Sequence, residues 1–138
     1  MDSRALLMPA FAMVALVIVV MFRMGRERFS QLARERIHPQ AVATSRQMAE
    51  RVADSRAADN FRNLFELPVL FYLALFVAIE LELGSPLVLG LAWAFVALRA
   101  LHSLIHCTYN KVRHRFLAYF AGAMVLWALW GVLLAGAL

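Results

Sequence analysis

Two groups of polar side chains interrupt otherwise apolar stretches, and their types and spacing suit a charged ligand. In the segment NFRNLFELPVLFY, Arg62, Asn63 and Glu66 fall one helical turn apart, so a helix would place them on one face. Arginine clamps a carboxylate with two parallel hydrogen bonds, while asparagine and glutamate can hold an amide or an ammonium. This pattern predicts a site for a small, multiply charged, peptide-like anion.

The second group is Arg99, His102 and His106, which also share one helical face. Ionisable residues inside a membrane span are costly and usually mark a functional site. A structural role is the alternative, in which Arg62 and Glu66 neutralise each other or Glu66 pairs with Arg99 to hold the helices together.

Metal and haem sites are poorly supported by the histidines. His102 and His106 have a spacing that can hold a metal, but no carboxylate or thiol completes a recognisable set, so no metal site is predicted. A haem between helices needs another histidine within the membrane, and His38 and His114 fall in predicted loops. A proton or ion path through Glu66, His102 and His106 lacks ionisable residues to continue it in the first and fourth spans.

The composition predicts an all-α integral membrane protein. Of 138 residues, 63% are hydrophobic, more than a soluble domain of this size can bury. A span needs about 20 residues, and the chain reads as a single four-helix domain over residues 1–138. The predicted spans are approximately 5–22, 61–79, 86–106 and 116–138, with a first loop at 23–60.

Charge predicts the orientation of these spans. The first loop carries eight arginines against five acids, the third holds Lys111, Arg113 and Arg115, and the second contributes only Glu80 and Glu82. The positive-inside rule places loops one and three in the cytoplasm and both termini on the other side. The net charge of +5 therefore indicates topology and contact with anionic membrane lipids, and no nucleic-acid partner is expected.

With this orientation, the two polar groups lie at the same depth. Glu66 is about five residues, roughly 7 Å, inside the start of the second span. Arg99 is about seven residues, roughly 10 Å, before the end of the third. We therefore expect the groups to meet in the cytoplasmic half of the membrane.

Local signals refine the loop and the second span. The run from Thr44 to Asn60 lacks glycine and proline, and it predicts a helix that continues into the second span after a break at Ile37–Gln40. Pro68 predicts a kink just beyond Glu66. Cys107, the only cysteine, cannot form an intramolecular disulfide, and its basic neighbours favour a thiolate, although a lone cysteine at a helix end is more often inert.

These features resemble the MAPEG family, the membrane-associated proteins of eicosanoid and glutathione metabolism. The similarity covers the four-span architecture, an Arg-Asn-x-x-Glu element at Arg62–Glu66, and an Arg-x-x-His element at Arg99–His102. It implies a homotrimer that binds glutathione between subunits, with a lipophilic small molecule from the bilayer as second substrate. The glutathione contacts that it implies are Arg62, Asn63, Glu66, Arg99, His102 and, less closely matched, Arg23.

The resemblance also assigns the reacting end of the site, where the chain departs from the family pattern. A family arginine that stabilises the thiolate maps to Arg115, with Arg113 a near competitor. His106 replaces an expected aromatic hydroxyl, so either Tyr109 substitutes for that phenol or His106 accepts the thiol proton. The resemblance implies transfer of glutathione to lipophilic electrophiles or reduction of lipid peroxides. The alternative is a non-catalytic membrane scaffold or partner module.

Overall fold

The computed structural model describes residues 3–138, and that part of the chain is helical without strands. Short 3-10 helices at Ser3–Leu6 and Pro39–Val42 accompany six α-helices, which are α1 (Leu7–Arg34), α2 (Ser45–Arg51), α3 (Arg56–Asn63), α4 (Leu67–Glu80), α5 (Pro86–Cys107) and α6 (Val112–Ala137). Four helical stretches are long and apolar enough to cross a membrane, at Arg4–Arg34, Arg56–Glu80, Pro86–Cys107 and Val112–Ala137. The prediction of an all-α protein with four membrane-spanning helices is confirmed.

Apolar contacts hold the four spans together. Phe71 of α4 stacks on Phe95 of α5 with ring centroids 4.6 Å apart, and Met13 of α1 and Leu126 of α6 belong to the same buried cluster. Large apolar side chains also cover the outside of the bundle, for example Phe76, which is 60% exposed. Such an outer surface suits lipid, because the hydrocarbon of a bilayer removes it from water.

The first loop packs against an extension of α1. This helix continues beyond Phe22 to Arg34, and its buried Leu32 contacts Val42 and Val52 of the loop. Thr44 caps α2 by accepting a hydrogen bond from the Gln47 backbone, and the Gln47 side-chain oxygen accepts one from the Thr44 backbone N–H. This reciprocal capping box fixes the start of α2.

The expected continuous helix from Thr44 into the second span is wrong. The chain leaves helical conformation between α2 and α3, where Asp54 exchanges two backbone hydrogen bonds with the buried Gln31 side chain. The Asp54 carboxylate then accepts from the Arg56 backbone and guanidinium, and Arg56 donates to the Thr108 carbonyl. These bonds tie the loop to α1 and to the end of α5, and they outweigh the helix propensity of the segment.

Replacing Asp54 with asparagine should lower thermal stability and make it less dependent on pH. The hydrogen bond from Arg56 holds the Asp54 pKa at about 2, below its ordinary 3.8. The carboxylate therefore stabilises the fold above its unfolded pKa, and this stabilisation is lost as pH falls through the folded pKa. We expect Asp54→Asn to melt about 2–4 °C lower at neutral pH.

Thermal melting of the purified protein across acid pH tests this expectation. The difference between Asp54→Asn and wild type should close as pH falls from about 4 to about 2. Glu50→Gln is the matched control, because Glu50 pairs with Arg46 at an exposed site and should leave melting unchanged. A difference that persists undiminished at the lowest pH would contradict the assigned role of the carboxylate.

Candidate functional site

The polar residues of the second span lie at an interruption between α3 and α4. Helix α3 ends at Asn63, a turn follows, and α4 begins at Leu67 with Pro68 in its first turn. Proline has no N–H to donate to the carbonyl four residues earlier, and a helix end leaves carbonyl groups without partners in the helix. The kink predicted at Pro68 is thus a full break one turn earlier. The Asn63 carbonyl oxygen accepts from the Glu66 backbone at 3.4 Å in the turn, and its second lone pair can accept from another donor.

Arg99 of α5 fills this break and is completely buried, with 0% of its surface exposed. Its Nη2 donates to the Asn63 carbonyl oxygen at 2.9 Å, and its Cζ lies 5.2 Å from the centre of the Tyr119 ring. The Nε and Nη1 atoms are buried without a hydrogen-bond partner in the described chain. An unpaired buried donor costs about 1–3 kcal/mol, so these atoms mark a place where an acceptor would bind.

His102 and His106 extend this group along α5. Both are buried, and their rings meet edge to face with centroids 5.4 Å apart. His102 Nδ1 lies 3.1 Å from the backbone carbonyl oxygen of Arg115, which ties it to the first turns of α6. His102 Nε2 and His106 Nδ1 are also buried without partners among residues 3–138. The two predicted groups therefore meet at the Asn63–Arg99 bond, and four of the nitrogen atoms on α5 are buried without a partner in the described residues.

Tyr119 of α6 belongs to this cluster and was not predicted from the sequence. Its ring centre is 5.6 Å from that of His102 in addition to its contact with Arg99, so it supplies a phenol at the site. Tyr119 follows Arg115 by four residues, which puts both on one face of α6. Following that spacing one turn into the fourth span was the available signal.

Glu66 and Arg62 lie at the open side of the cluster. Glu66 is exposed in the single chain, shares a side-chain hydrogen bond with Tyr119 and acts electrostatically on Arg99. The Arg62 side chain is 70% exposed, and its nearest acid is Asp59 at 3.9 Å. In the described residues no ion pair within 4.0 Å joins Glu66 to Arg62 or to Arg99. Both residues therefore remain available to a ligand or to a second copy of the chain.

Of the residues predicted at the reacting end, Arg115 lies near the two histidines, whereas Arg113 and Tyr109 are exposed. The half-buried Arg115 donates from Nη1 to the Asn110 side-chain oxygen at 2.7 Å, and it acts electrostatically on His102 and His106. Arg113 is exposed. Tyr109, in the turn before α6, is 56% exposed, and its hydroxyl lies 3.1 Å from Nδ1 of His114 in the first turn of α6. Within one chain, the phenol beside Arg99 and His102 is that of Tyr119 and not that of Tyr109.

Arg23 lies apart from the cluster within one chain. Its Nε pairs with Glu27 at 2.9 Å, and its Nη2 donates to the carbonyl oxygen of Cys107, the last residue of α5. A cation at a helix C-terminus satisfies a free carbonyl and complements the helix dipole. In the single chain Arg23 thus caps α5.

Cys107 is buried in a separate polar network. The Asn60 amide donates to its sulfur at 3.5 Å, and the Ser103 hydroxyl donates to the Asn60 amide oxygen at 3.3 Å. A cavity of about 230 Å³ lies beside this network between α1 and α5. A search of residues 3–138 found no group of three histidine, cysteine or acidic side chains placed to hold a metal ion.

Comparison with known proteins gives one finding. The model of the MAPEG family matches residues 6–135, nearly the whole chain. No curated protein and no solved structure matches the chain.

Proposed function

The chain belongs to the MAPEG family, a broadly glutathione-associated group of membrane proteins, and from this premise we propose that it binds glutathione at the break between α3 and α4. The carrying observation is the buried Arg99, whose Nε and Nη1 have no partner in the described chain. Glutathione offers carboxylates to such a guanidinium, and arginine binds carboxylates through paired hydrogen bonds.

The second half of the proposal is reaction of the glutathione sulfur with a lipophilic electrophile or a lipid peroxide. A free thiol with a pKa near 8.5 is mostly protonated at neutral pH, and neighbouring guanidinium groups favour its nucleophilic anion. Arg99 and Arg115 supply that positive charge around His102 and His106. In a transfer reaction the thiolate forms a carbon–sulfur bond, the leaving group departs with its electron pair, and the thiol proton passes to water.

A homotrimer is the assembly that we propose for this site. Arg62 and Glu66 are exposed in the single chain although they lie in a span, and charged groups facing lipid are costly. A second copy that covers them would remove this cost and enclose the ligand between subunits. We place loops one and three in the cytoplasm, so glutathione enters from that side and the lipophilic substrate from the bilayer.

Calorimetric titration of glutathione into the protein in lipid nanodiscs tests binding, and formation of a glutathione conjugate from an aryl halide tests the reaction. We expect saturable binding together with conjugation above the uncatalysed rate. Absence of both in a folded, monodisperse sample would contradict the proposal. Binding without conjugation would support glutathione as the ligand and contradict the proposed catalytic step.

A non-catalytic scaffold is the second candidate, and the bond from Arg99 to Asn63 favours it. Helix breaks inside membranes persist when a neighbouring helix satisfies the freed backbone groups. Arg99 does this at 2.9 Å, so a purely structural role explains one of its nitrogen atoms. It leaves the two unpaired atoms unexplained, and for that reason we prefer a ligand site.

A further inference from the structure

One face of α1 is apolar within the first span and cationic beyond it. Its members follow one another at intervals of three or four residues, so they line one side of the helix, and they are Leu16, Val19, Arg23, Arg26, Ser30 and Arg34. The first two lie in the apolar stretch that ends at Phe22, and the others follow it. This surface, which we call the α1 face, therefore offers apolar contacts at one end and positive charge at the other.

The apolar part of the α1 face borders the cavity of about 230 Å³ between α1 and α5. Val19 and Leu104 line this cavity and are exposed on the outside of the bundle, where lipid hydrocarbon lies. From Leu16 to Arg23 the helix rises roughly 10 Å. The cavity is therefore an apolar recess that can take part of an acyl chain.

A second cavity, of about 150 Å³, lies beside the cationic part of the α1 face, and Arg26, Ser30 and Arg34 line it. Both arginines are exposed, and neither makes an ion pair within 4.0 Å among residues 3–138. Basic pockets next to membrane helices bind anionic lipid headgroups, and arginine holds a phosphate through paired hydrogen bonds. The second cavity therefore suits a phosphate group.

Two acids also line the second cavity, and each is already paired. Glu27 pairs with Arg23 at 2.9 Å, and Asp54 pairs with Arg56 at 2.6 Å. These pairs balance their own charges, so the two arginines without an ion pair leave the cavity net positive. Arg23 lines the first cavity and Glu27 the second, so their ion pair joins the two cavities.

We propose that α1 and α5 bind one anionic phospholipid from the leaflet next to the first loop, with an acyl chain in the first cavity and the phosphate at Arg26 and Arg34. Such a lipid carries a hydrocarbon chain and a negative charge in one molecule, and the α1 face meets both on one side of a helix. Neither Arg99 nor Tyr119 lines either cavity, so this inference does not depend on glutathione binding.

Native mass spectrometry of the delipidated, detergent-purified chain tests the lipid site by titration with three probes. Dioleoyl phosphatidylglycerol is the anionic probe, dioleoyl phosphatidylcholine has the same chains with a zwitterionic headgroup, and glycerol phosphate has a phosphate without chains. We expect wild type to bind the first phosphatidylglycerol about 10-fold more tightly than phosphatidylcholine. Glycerol phosphate should not bind at the concentrations that saturate phosphatidylglycerol.

The headgroup contact is tested by the double variant Arg26→Gln, Arg34→Gln. It should weaken phosphatidylglycerol binding about 10-fold, which removes the preference over phosphatidylcholine. The control with the same change in charge is Arg46→Gln, Arg51→Gln, because both residues are exposed on α2 and line neither cavity. It should bind both lipids as wild type does.

The chain contact is tested by Ala100→Phe, since Ala100 is exposed on α5 and lines the first cavity. A phenyl ring there fills the recess, so both lipids should bind about 5-fold more weakly through lost packing contacts. Ala97→Phe is the control, because Ala97 is exposed one turn earlier on α5 and does not line the cavity.

Four results would overturn the lipid site. Equal affinity for the two lipids in wild type, or unchanged phosphatidylglycerol affinity in the Arg26 and Arg34 variant, removes the headgroup contact. Lipid affinity unchanged in Ala100→Phe removes the chain contact. Glycerol phosphate that binds as tightly as phosphatidylglycerol makes the second cavity a site for free phosphate. Dissociation of an oligomer by Ala100→Phe, with no lipid bound to wild type, means that a second copy of the chain covers the cavity.

Discussion

Replacing Arg99 with methionine is expected to raise the Kd for glutathione at least about 100-fold, a loss of about 2.7 kcal/mol. The reason is that Arg99 offers two buried donors without partners in the described chain. A hydrogen bond to a charged group contributes about 1.5–3 kcal/mol. Calorimetric titration in nanodiscs, the method used for wild type, measures the change.

Thermal stability distinguishes this role from a structural one. Methionine removes the bond to the Asn63 carbonyl, worth about 1 kcal/mol, but it also removes two unpaired buried donors. Replacing a buried charge by an apolar side chain of similar length is often neutral. We therefore expect Arg99→Met to melt within about 4 °C of wild type.

Arg99→Lys is the matched control, because it keeps the charge but loses the planar pair of donors. It should bind glutathione more weakly than wild type and more tightly than Arg99→Met. If Arg99→Met binds glutathione normally but melts far below wild type, Arg99 only supports the helix break.

Replacing Glu66 with glutamine should raise the Kd for glutathione about 10-fold or more, which corresponds to about 1.4 kcal/mol. Glu66 is exposed, shares a side-chain hydrogen bond with Tyr119, acts electrostatically on Arg99, and makes no ion pair within 4.0 Å in the described residues. A carboxylate has further lone pairs, so Glu66 can also accept from the ammonium of glutathione. Glutamine keeps the shape but loses the charge that strengthens this bond.

Glu80→Gln provides the comparison, since Glu80 is the exposed last residue of the same helix. It should leave both binding and melting unchanged. Because Glu66 has no close cation in the single chain, Glu66→Gln should also melt as wild type does. A lower melting temperature together with unchanged affinity would mean that Glu66 forms a structural ion pair between subunits.

The four spans and the meeting of the two polar groups were predictable from the sequence. Hydrophobic length identifies spans, because backbone groups in lipid must be satisfied within the protein and a continuous apolar helix does this along its own length. Residue counts from the ends of the spans placed Glu66 and Arg99 at a similar depth. The 2.9 Å bond from Arg99 to the carbonyl of Asn63, three residues before Glu66, agrees with that expectation.

The details that depend on packing between helices were not predictable. At the break before Leu67, the Arg99 guanidinium donates a hydrogen bond to the Asn63 carbonyl oxygen. Residue spacing within one helix does not show this contact between two helices. Spacing puts Tyr119 on the Arg115 face of α6, but its contacts with Arg99 and His102 depend on how α6 packs against α5. Arg23 lies outside the cluster, where its guanidinium caps α5. Likewise, Gln31 ends the expected loop helix through contacts made across 23 residues of sequence.

A structure of the protein in lipid nanodiscs with glutathione bound tests the proposed site most directly. We expect glutathione at the break between α3 and α4, with a carboxylate within hydrogen-bond distance of Arg99 and the sulfur near His102 and His106. Density for glutathione elsewhere, or an Arg99 whose Nε and Nη1 remain unpaired at saturating glutathione, would contradict the proposed site.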